Sequence, residues 1–152
     1  MISFRRATDS DLDNLNQLAY LSEAYWGESA EFLSRFKETY AIDSRYLLEH
    51  HVMLMEENRS LLGFYAIKNV DNLWELDFFY VGVALIGHGY GKIMWDHLIQ
   101  ECIDLGILSF EFVTSPEAEV FYLKMGAAHV GMVESSIRAG KMIPKLMVKM
   151  GE

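Results

Sequence analysis

The residues best suited to chemistry are three glycines at alternate positions, in the run Gly87-His88-Gly89-Tyr90-Gly91. The run lies between an apolar stretch that predicts a buried strand and a helical pattern that begins near Ile93. Because glycine has no Cβ atom, the backbone turns tightly here and comes close to a ligand. Its N–H groups converge at the positive end of the next helix, which favours phosphate. We therefore expect this glycine loop to hold a phosphate-bearing ligand.

The spacing of the loop excludes two common nucleotide sites. A Walker loop needs a glycine where this chain has Ile86, and a hydroxyl for magnesium where it has Ile93. A dinucleotide loop needs Gly-x-Gly-x-x-Gly after an early strand, whereas these glycines alternate and lie past the middle of the chain. An ATP-binding P-loop and an NAD site are therefore not expected.

Two further stretches accompany the loop: Glu75-Leu76-Asp77-Phe78-Phe79-Tyr80-Val81 before it, and Ser115-Pro116-Glu117-Ala118-Glu119-Val120-Phe121-Tyr122-Leu123-Lys124-Met125-Gly126-Ala127 after it. Together with Ile86–Gly91 they resemble the GNAT superfamily of N-acetyltransferases. Its cofactor loop reads Gln/Arg-x-x-Gly-x-Gly/Ala, and its closing motif reads Asn-x-x-Ala-x-x-Phe-Tyr-x-x-x-Gly-Phe. The chain departs from these patterns at Ile86, at Ser115 (for Asn) and at Ala127 (for Phe). The resemblance extends loosely from Ile2 to Met150.

The resemblance implies acetyl-CoA as the cosubstrate and no metal. The pyrophosphate would lie on the backbone N–H groups of His88 to Lys92, and the pantetheine arm would bond the backbone of Val81 and Val83. The Lys92 side chain would meet a phosphate or remain solvated. The implied cofactor-binding set is Val81, Val83, Gly87, His88, Gly89, Tyr90, Gly91, Lys92 and Ser115.

The implied reaction is direct acetyl transfer to a primary amine of a small molecule or a peptide. Tyr122 matches the family's frequent general acid, which would protonate the leaving thiolate. Glu75 and Asp77 are two residues apart on a strand and so share a face. Either could take the amine's proton, directly or through a water, with Glu75 preferred, or both could be solvated charges at an exposed strand end.

The acceptor site is left open by the sequence. By resemblance, the pocket would be shaped by the N-terminal helices, with Tyr25, Trp26 and Tyr40, and by the stretch 135–141 before the last strand. A non-catalytic acyl-CoA-binding module is the alternative, because Ile86 and Ser115 depart from the family pattern. The five histidines lack the spacing of metal ligands.

The elements that must position these residues follow from periodicity and turn residues. Strands are expected over 2–7, 51–55, 61–68, 73–85, 108–113, 129–135 and 145–150. Helices are expected from a cap at Asp9 or Ser10 to Tyr25, over 31–40, 43–49 and 93–105, and from the cap Ser115 to Gly126. The pattern predicts an α/β fold with a mixed, mostly antiparallel sheet of six to seven strands and helices on both faces. The strands before and after the glycine loop should be parallel.

Composition fits one domain over residues 1–152, with 51% hydrophobic residues. The net charge of −9 disfavours nucleic acid and anionic membranes as partners. One cysteine, no signal peptide and no apolar run of about 18 residues predict a cytoplasmic protein. The two final strands could pair between two copies of the chain in a homodimer.

Overall fold

A computed structural model describes residues 1–150, in which seven strands form one sheet. The strands are β1 (Ser3–Arg6), β2 (His51–Glu57), β3 (Ser60–Val70), β4 (Leu73–Val81), β5 (Ser109–Val113), β6 (Ala128–Glu134) and β7 (Met142–Lys149). The helices are α1 (Leu12–Tyr25), α2 (Ala30–Thr39), α3 (Ser44–Glu49), α4 (Tyr90–Asp104) and α5 (Pro116–Lys124). Two 3₁₀ turns cover Asp9–Asp11 and Val83–Leu85.

The strand order is β1-β2-β3-β4-β5-β7-β6, and only β4 and β5 are parallel. The predicted mixed, mostly antiparallel sheet is therefore confirmed. Two-residue turns join β2 to β3 and β3 to β4. Both residues of each turn have positive φ: Asn58 and Arg59 in the first, and Asp71 and Asn72 in the second. Such turns match the twist of paired strands, which is why these polar pairs form hairpins.

Helices cover both faces of the sheet, as the sequence predicted. On one face, the core formed by residues of α1, α2 and β2–β4 includes Leu15, Phe36, Phe64 and Phe78. On the other face, α4 and α5 pack on a larger core that includes Trp95, Phe110 and Tyr122. None of the helices within residues 1–150 has both the length and the apolar character needed to cross a membrane.

The parallel strands β4 and β5 separate soon after they meet. Their only paired position is Glu75 with Glu111, although β4 continues to Val81 and β5 to Val113. The second halves of the two strands therefore diverge and open a gap in the middle of the sheet. The glycine loop follows the end of β4, at the side of this gap.

Among the boundaries that differ from the sequence prediction, two have a clear local cause. The central strand ends at Val81 rather than Leu85, because the chain closes a 3₁₀ turn at Val83–Leu85, in which the Leu85 amide donates to Gly82 O at 2.9 Å. The first helical segment begins after Thr8 rather than at a cap on Asp9 or Ser10. The Thr8 amide donates to Asp11 Oδ2 at 2.8 Å, and Arg5 holds the same carboxylate.

Candidate active site

The glycine loop presents a row of backbone donors that the protein leaves unused. Gly87 and Gly89 have φ of +83° and +86°, a backbone conformation that residues with a side chain rarely adopt. A Cβ atom at either position would have no atom within 4 Å, so the space beside the loop is open. The amides of Gly87, Gly89, Tyr90, Gly91 and Lys92 have no acceptor within residues 1–150. The His88 amide differs, since it donates to Leu85 O at 3.2 Å. This geometry suits an anion at the N-terminus of α4.

A second feature of the loop is the close approach of α4 to α5. A Cβ on Gly91 would lie 3.1 Å from Cε1 of Phe121, which is closer than ordinary van der Waals contact. Gly91 therefore lets the start of α4 pack against the helix that carries Tyr122. The loop and the candidate acid are in this way fixed relative to each other.

A cavity of about 420 Å³ adjoins the gap between β4 and β5. One wall is aromatic and comes from α2 and β4; it contains Phe32, Phe36, Tyr40, Phe78 and Tyr80. The opposite wall comes from β5, β6, β7 and the segment 135–141. The charged residues that line the whole cavity are six acids (Glu23, Glu28, Glu75, Asp77, Glu111 and Glu134) and four bases (Lys68, Arg138, Lys141 and Lys145). The excess of acids suits a cationic amine.

Two hydrogen-bonded groups of the cavity lining, Glu23 and Tyr80, lie within electrostatic range of Tyr122. The Tyr80 hydroxyl donates to Glu23 Oε1 at 2.6 Å. Burial raises the pKa of Glu23 above its ordinary value, and the charge of Glu28 adds to this, although the Tyr80 hydrogen bond opposes it. The Tyr122 phenol is close enough for Glu23 to raise its pKa in turn. A carboxyl with a raised pKa is a better proton acceptor than an ordinary carboxylate, and a phenol within its electrostatic range can donate a proton.

Tyr122 is buried and surrounded by aromatic rings. Its ring centroid lies 4.7 Å from that of Phe112, 5.7 Å from Trp95 and 5.9 Å from Phe79. Burial is the main cause that raises the pKa of its phenol. The hydroxyl makes no hydrogen bond within the part of the chain that the structure describes, so it is available to a ligand as a donor.

Glu75 and Asp77 both face the cavity, as expected from their spacing, but they differ in environment. Asp77 accepts a hydrogen bond from the Tyr46 hydroxyl at 2.5 Å and lies 3.5 Å from Lys68 Nζ; its side chain is 14% exposed. Glu75 lies 3.7 Å from the same Nζ and is 46% exposed. A bulge in the pairing of β3 with β4 falls at Asp77. Asp77 is therefore held by a hydrogen bond and an ion pair in a largely buried position, whereas Glu75 is more exposed to solvent and makes one longer ion pair.

Several other predicted residues already have partners in the protein. The Ser115 side chain caps α5 by accepting from the Ala118 amide at 3.2 Å. The Val81 carbonyl accepts from the Ser22 hydroxyl at 3.3 Å, and the Val83 carbonyl accepts from the Ile86 amide inside the 3₁₀ turn. Lys92 Nζ pairs with Asp96 at 2.9 Å on the exposed face of α4. A ligand that binds here must either replace these contacts or bind other atoms of the same residues.

Of the residues expected near the acceptor, Tyr40 and the segment 135–141 line the cavity. Tyr25 and Trp26 do not; they stack edge to face on each other at 5.1 Å and are 51% and 57% exposed. The aromatic cluster expected from the sequence is thus replaced by Phe32, Phe36, Phe78 and Tyr80.

Sequence reasoning missed Glu23 and Tyr80. Tyr80 reads as one more aromatic residue in an apolar strand, and nothing local separates it from its neighbours. Glu23 did carry a signal, because an acid in the last turn of a helix opposes the helix dipole and needs a reason to be there. That reason is its contact with Tyr80, 57 positions away.

Comparison with known proteins agrees with this architecture. The sequence model of the acetyltransferase (GNAT) family matches residues 14–127. No curated protein matches the sequence significantly.

Several solved structures share the fold at low identity. The PaiA N-acetyltransferase of Thermoplasma acidophilum, solved in complex with coenzyme A, superposes with a TM-score of 0.80 at 20% identity, covering 98% of this chain and 99% of that one. An acetyltransferase of the GNAT family from Staphylococcus aureus gives a TM-score of 0.73 at 16% identity, covering 99% of this chain and 100% of that one. An IAA acetyltransferase from Bacillus cereus gives 0.69 at 14% identity, covering 99% of this chain and 100% of that one.

Proposed function

The chain belongs to the GNAT family of acetyltransferases, and we propose that it moves an acetyl group from acetyl-CoA to a primary amine by direct transfer. The observation that carries the proposal is the position of the Glu23–Tyr80–Tyr122 cluster. Glu23 and Tyr80 line the cavity with its excess of acids, and Tyr122 lies on the helix that packs against the glycine loop at Gly91. A binding module would need the loop but would have no use for a proton-transfer cluster beside it.

The loop fits the pyrophosphate of coenzyme A. Five unpaired amides and the N-terminal end of α4 offer an anion several hydrogen bonds and a favourable dipole. We propose Gly87, Gly89, Tyr90, Gly91 and Lys92 as the backbone donors, with His88 joining them only if its bond to Leu85 opens. Val81, Val83 and Ser115 flank this path and stay in the proposed cofactor set. The relative from Thermoplasma acidophilum that binds coenzyme A supports the same choice of cosubstrate.

Bound acetyl-CoA supplies a thioester, from which the acetyl group goes to nitrogen as the C–S bond breaks. An amine attacks only when uncharged, so a base must remove its proton first. The Tyr122 phenol is protonated at neutral pH, and burial raises its pKa further above the ordinary 10.0. It can therefore donate its proton to the sulfur that leaves, which completes the exchange of protons.

We propose Glu23 as the base that accepts the amine's proton. Its charge is the one that raises the pKa of Tyr122, whereas Glu75 is half exposed and paired with Lys68. Glu75, with Asp77, remains the earlier prediction, and its position in the acidic lining also suits it to attract the ammonium form of the acceptor. Direct comparison of the two variants separates these roles.

The first experiment is the thermal midpoint of the protein with and without acetyl-CoA, with NAD and ATP as controls. Ligand at about a hundred times its Kd stabilises a protein by about 2.7 kcal/mol. For a domain of this size that is a rise of about 5–10 °C. Thiol release with a panel of primary amines then measures transfer. Acetyl-CoA binding without thiol release would favour the non-catalytic module, and the absence of any shift would contradict both readings.

A further inference from the structure

Residues 135–141, which we call the roof, join the two walls of the cavity. Arg138 Nη2 contacts the Glu28 carboxylate in the turn between α1 and α2. Arg35 Nη1 of α2 donates to Ile137 O at 3.2 Å, and Tyr40 Oη lies 2.5 Å from Ser136 Oγ. These contacts bridge 96 to 110 positions in the sequence, so they are made only when the fold is complete.

The roof is itself a built structure. Ser135 Oγ accepts from the amides of Ile137 and Arg138 at 3.2 and 3.1 Å. The Ser135 amide donates to Lys141 O at 2.8 Å, and the Gly140 amide donates to Glu134 Oε2 at 2.9 Å. Ile137 also packs against the core of the α1–α2 face. A loop with this many internal hydrogen bonds has one defined conformation over the cavity.

The bridge between Glu28 and Arg138 is the strongest of the roof's contacts. The two side chains are 20% and 35% exposed, so the pair is partly withdrawn from water. The Arg138 guanidinium also lies over the Phe32 ring, 4.6 Å from its centroid. A ligand that needs the space between these side chains must break both contacts.

Two classes of amine acceptor differ in what they need from this roof. A polypeptide carries backbone and side chains beyond its reacting amine, and these must leave the cavity through its mouth. A small amine fits inside a volume of about 420 Å³, which lies within the range for sites that enclose small ligands. The bridged roof therefore admits the second class and obstructs the first.

We propose that the roof restricts the acceptor to small cationic amines, and that Glu28 and Arg138 determine this specificity. The proposal rests on the acetyl transfer proposed above. The acidic lining attracts the ammonium form of such an acceptor, and the aromatic wall of Phe36, Tyr40 and Phe78 packs against its apolar part. The effect of Glu28 and Arg138 on specificity is one of access, and it is measured as a ratio between two acceptors because the charge of Glu28 also acts on Glu23.

The test compares thiol release from acetyl-CoA with small primary amines and with short peptides that offer free N-termini and lysines. The wild-type protein should acetylate small amines and leave the peptides unmodified. Arg138→Ala and Glu28→Ala should each raise kcat/KM for peptides relative to small amines by about tenfold or more. The exchanged variant Glu28→Arg with Arg138→Glu should restore the wild-type preference, because it rebuilds the pair with reversed charges.

Hydrogen exchange tests the roof without an acceptor. The amides of Ile137, Arg138 and Gly140 should be protected in the wild-type protein and exchange faster in Arg138→Ala. Exchange at the free-chain rate in the wild type would overturn the inference.

The kinetic outcomes separate the two proposals. Wild-type transfer to peptides as efficient as transfer to small amines would contradict the inference and leave the proposed function intact. Absence of transfer to both classes, although acetyl-CoA raises the thermal midpoint, would contradict the proposed function, and the inference would fail with it.

Discussion

At the scale of single residues, Tyr122 has one property that its aromatic neighbours lack: a hydroxyl on a buried ring that makes no hydrogen bond among residues 1–150 and is accessible to a ligand. Its ring is held by Phe112, Trp95 and Phe79, so removing the oxygen should leave the packing unchanged. We expect Tyr122→Phe to lower kcat by about 10²–10⁴-fold, the usual contribution of a general acid, with little change in acetyl-CoA affinity. Stopped-flow thiol release and a binding titration measure the two quantities.

Tyr20→Phe is the matched control for this variant, because Tyr20 lies partly buried on α1 and does not line the cavity. It should retain wild-type kcat. If Tyr122→Phe also retained it, Tyr122 would be a packing residue and the thiolate would obtain its proton elsewhere.

Glu23 makes a prediction about pH. A base must be deprotonated to act, and burial with the charge of Glu28 raises the Glu23 pKa above its ordinary 4.5. The acidic limb of kcat/KM should therefore lie above pH 4.5. Tyr80→Phe removes the hydrogen bond that lowers this pKa, so the limb should move to higher pH. Glu23→Gln should abolish the limb and reduce kcat/KM by about 10²–10⁴-fold.

Glu75→Gln is the comparison that decides between the two candidate bases. If Glu23 is the base, Glu75→Gln should keep the position of the acidic limb and change mainly KM for the amine. Loss of the limb in Glu75→Gln, with the limb retained in Glu23→Gln, would restore Glu75 as the base.

At the scale of elements, the glycine loop is the feature whose removal should separate binding from stability. An alanine at Gly89 must adopt φ near +86°, which costs about 1–2 kcal/mol. Gly106, at the opposite end of α4, has φ of +76° and equally open surroundings. We expect Gly89→Ala and Gly106→Ala to lose similar stability in urea, but only Gly89→Ala to weaken acetyl-CoA binding. Equal affinities for the two variants would mean that the loop is only a turn.

How far the sequence predicts these elements depends on how local their causes are. The cap of α5 was predicted because Ser115, Pro116 and Glu117 are adjacent and each acts on the first turn of its own helix. The strand–loop–helix unit around the glycine loop was predicted for the same reason, since its glycines and apolar periodicity are contiguous. The order of strands and helices followed from turns such as Asn58-Arg59.

The features that the sequence did not predict are pairings over long distances. The contact of Tyr80 with Glu23 spans 57 positions and that of Arg138 with Glu28 spans 110. No periodicity or turn residue records such a pairing. The end of β4 at Val81 was missed for another reason, because the residues of the 3₁₀ turn at Val83–Leu85 are apolar and continue the hydrophobic pattern of the strand.

At the scale of the whole molecule, one histidine joins three elements and should make stability depend on pH. The His97 ring of α4 stacks on Phe4 of β1 with 3.7 Å between centroids, and its Nδ1 lies 2.8 Å from Tyr65 Oη of β3. Burial lowers the His97 pKa and His51 adds to this, whereas Glu101 and Asp104 oppose it. His97 therefore stays neutral in the folded protein at a pH where the unfolded chain already binds a proton.

The sign of the effect follows from that difference. A base whose pKa is lower in the folded state than its ordinary 6.5 stabilises the fold fully above pH 6.5, and this stability is lost as the pH falls below 6.5. We expect the free energy of unfolding in urea to decrease between pH 7.5 and pH 5.5. His97→Gln should flatten this slope, although it also loses stability at every pH through the stacking on Phe4. His88→Gln, at an exposed position, should keep the wild-type slope. If the His97→Gln variant had the same slope as the wild type, a titratable group other than His97 would cause the pH dependence of stability.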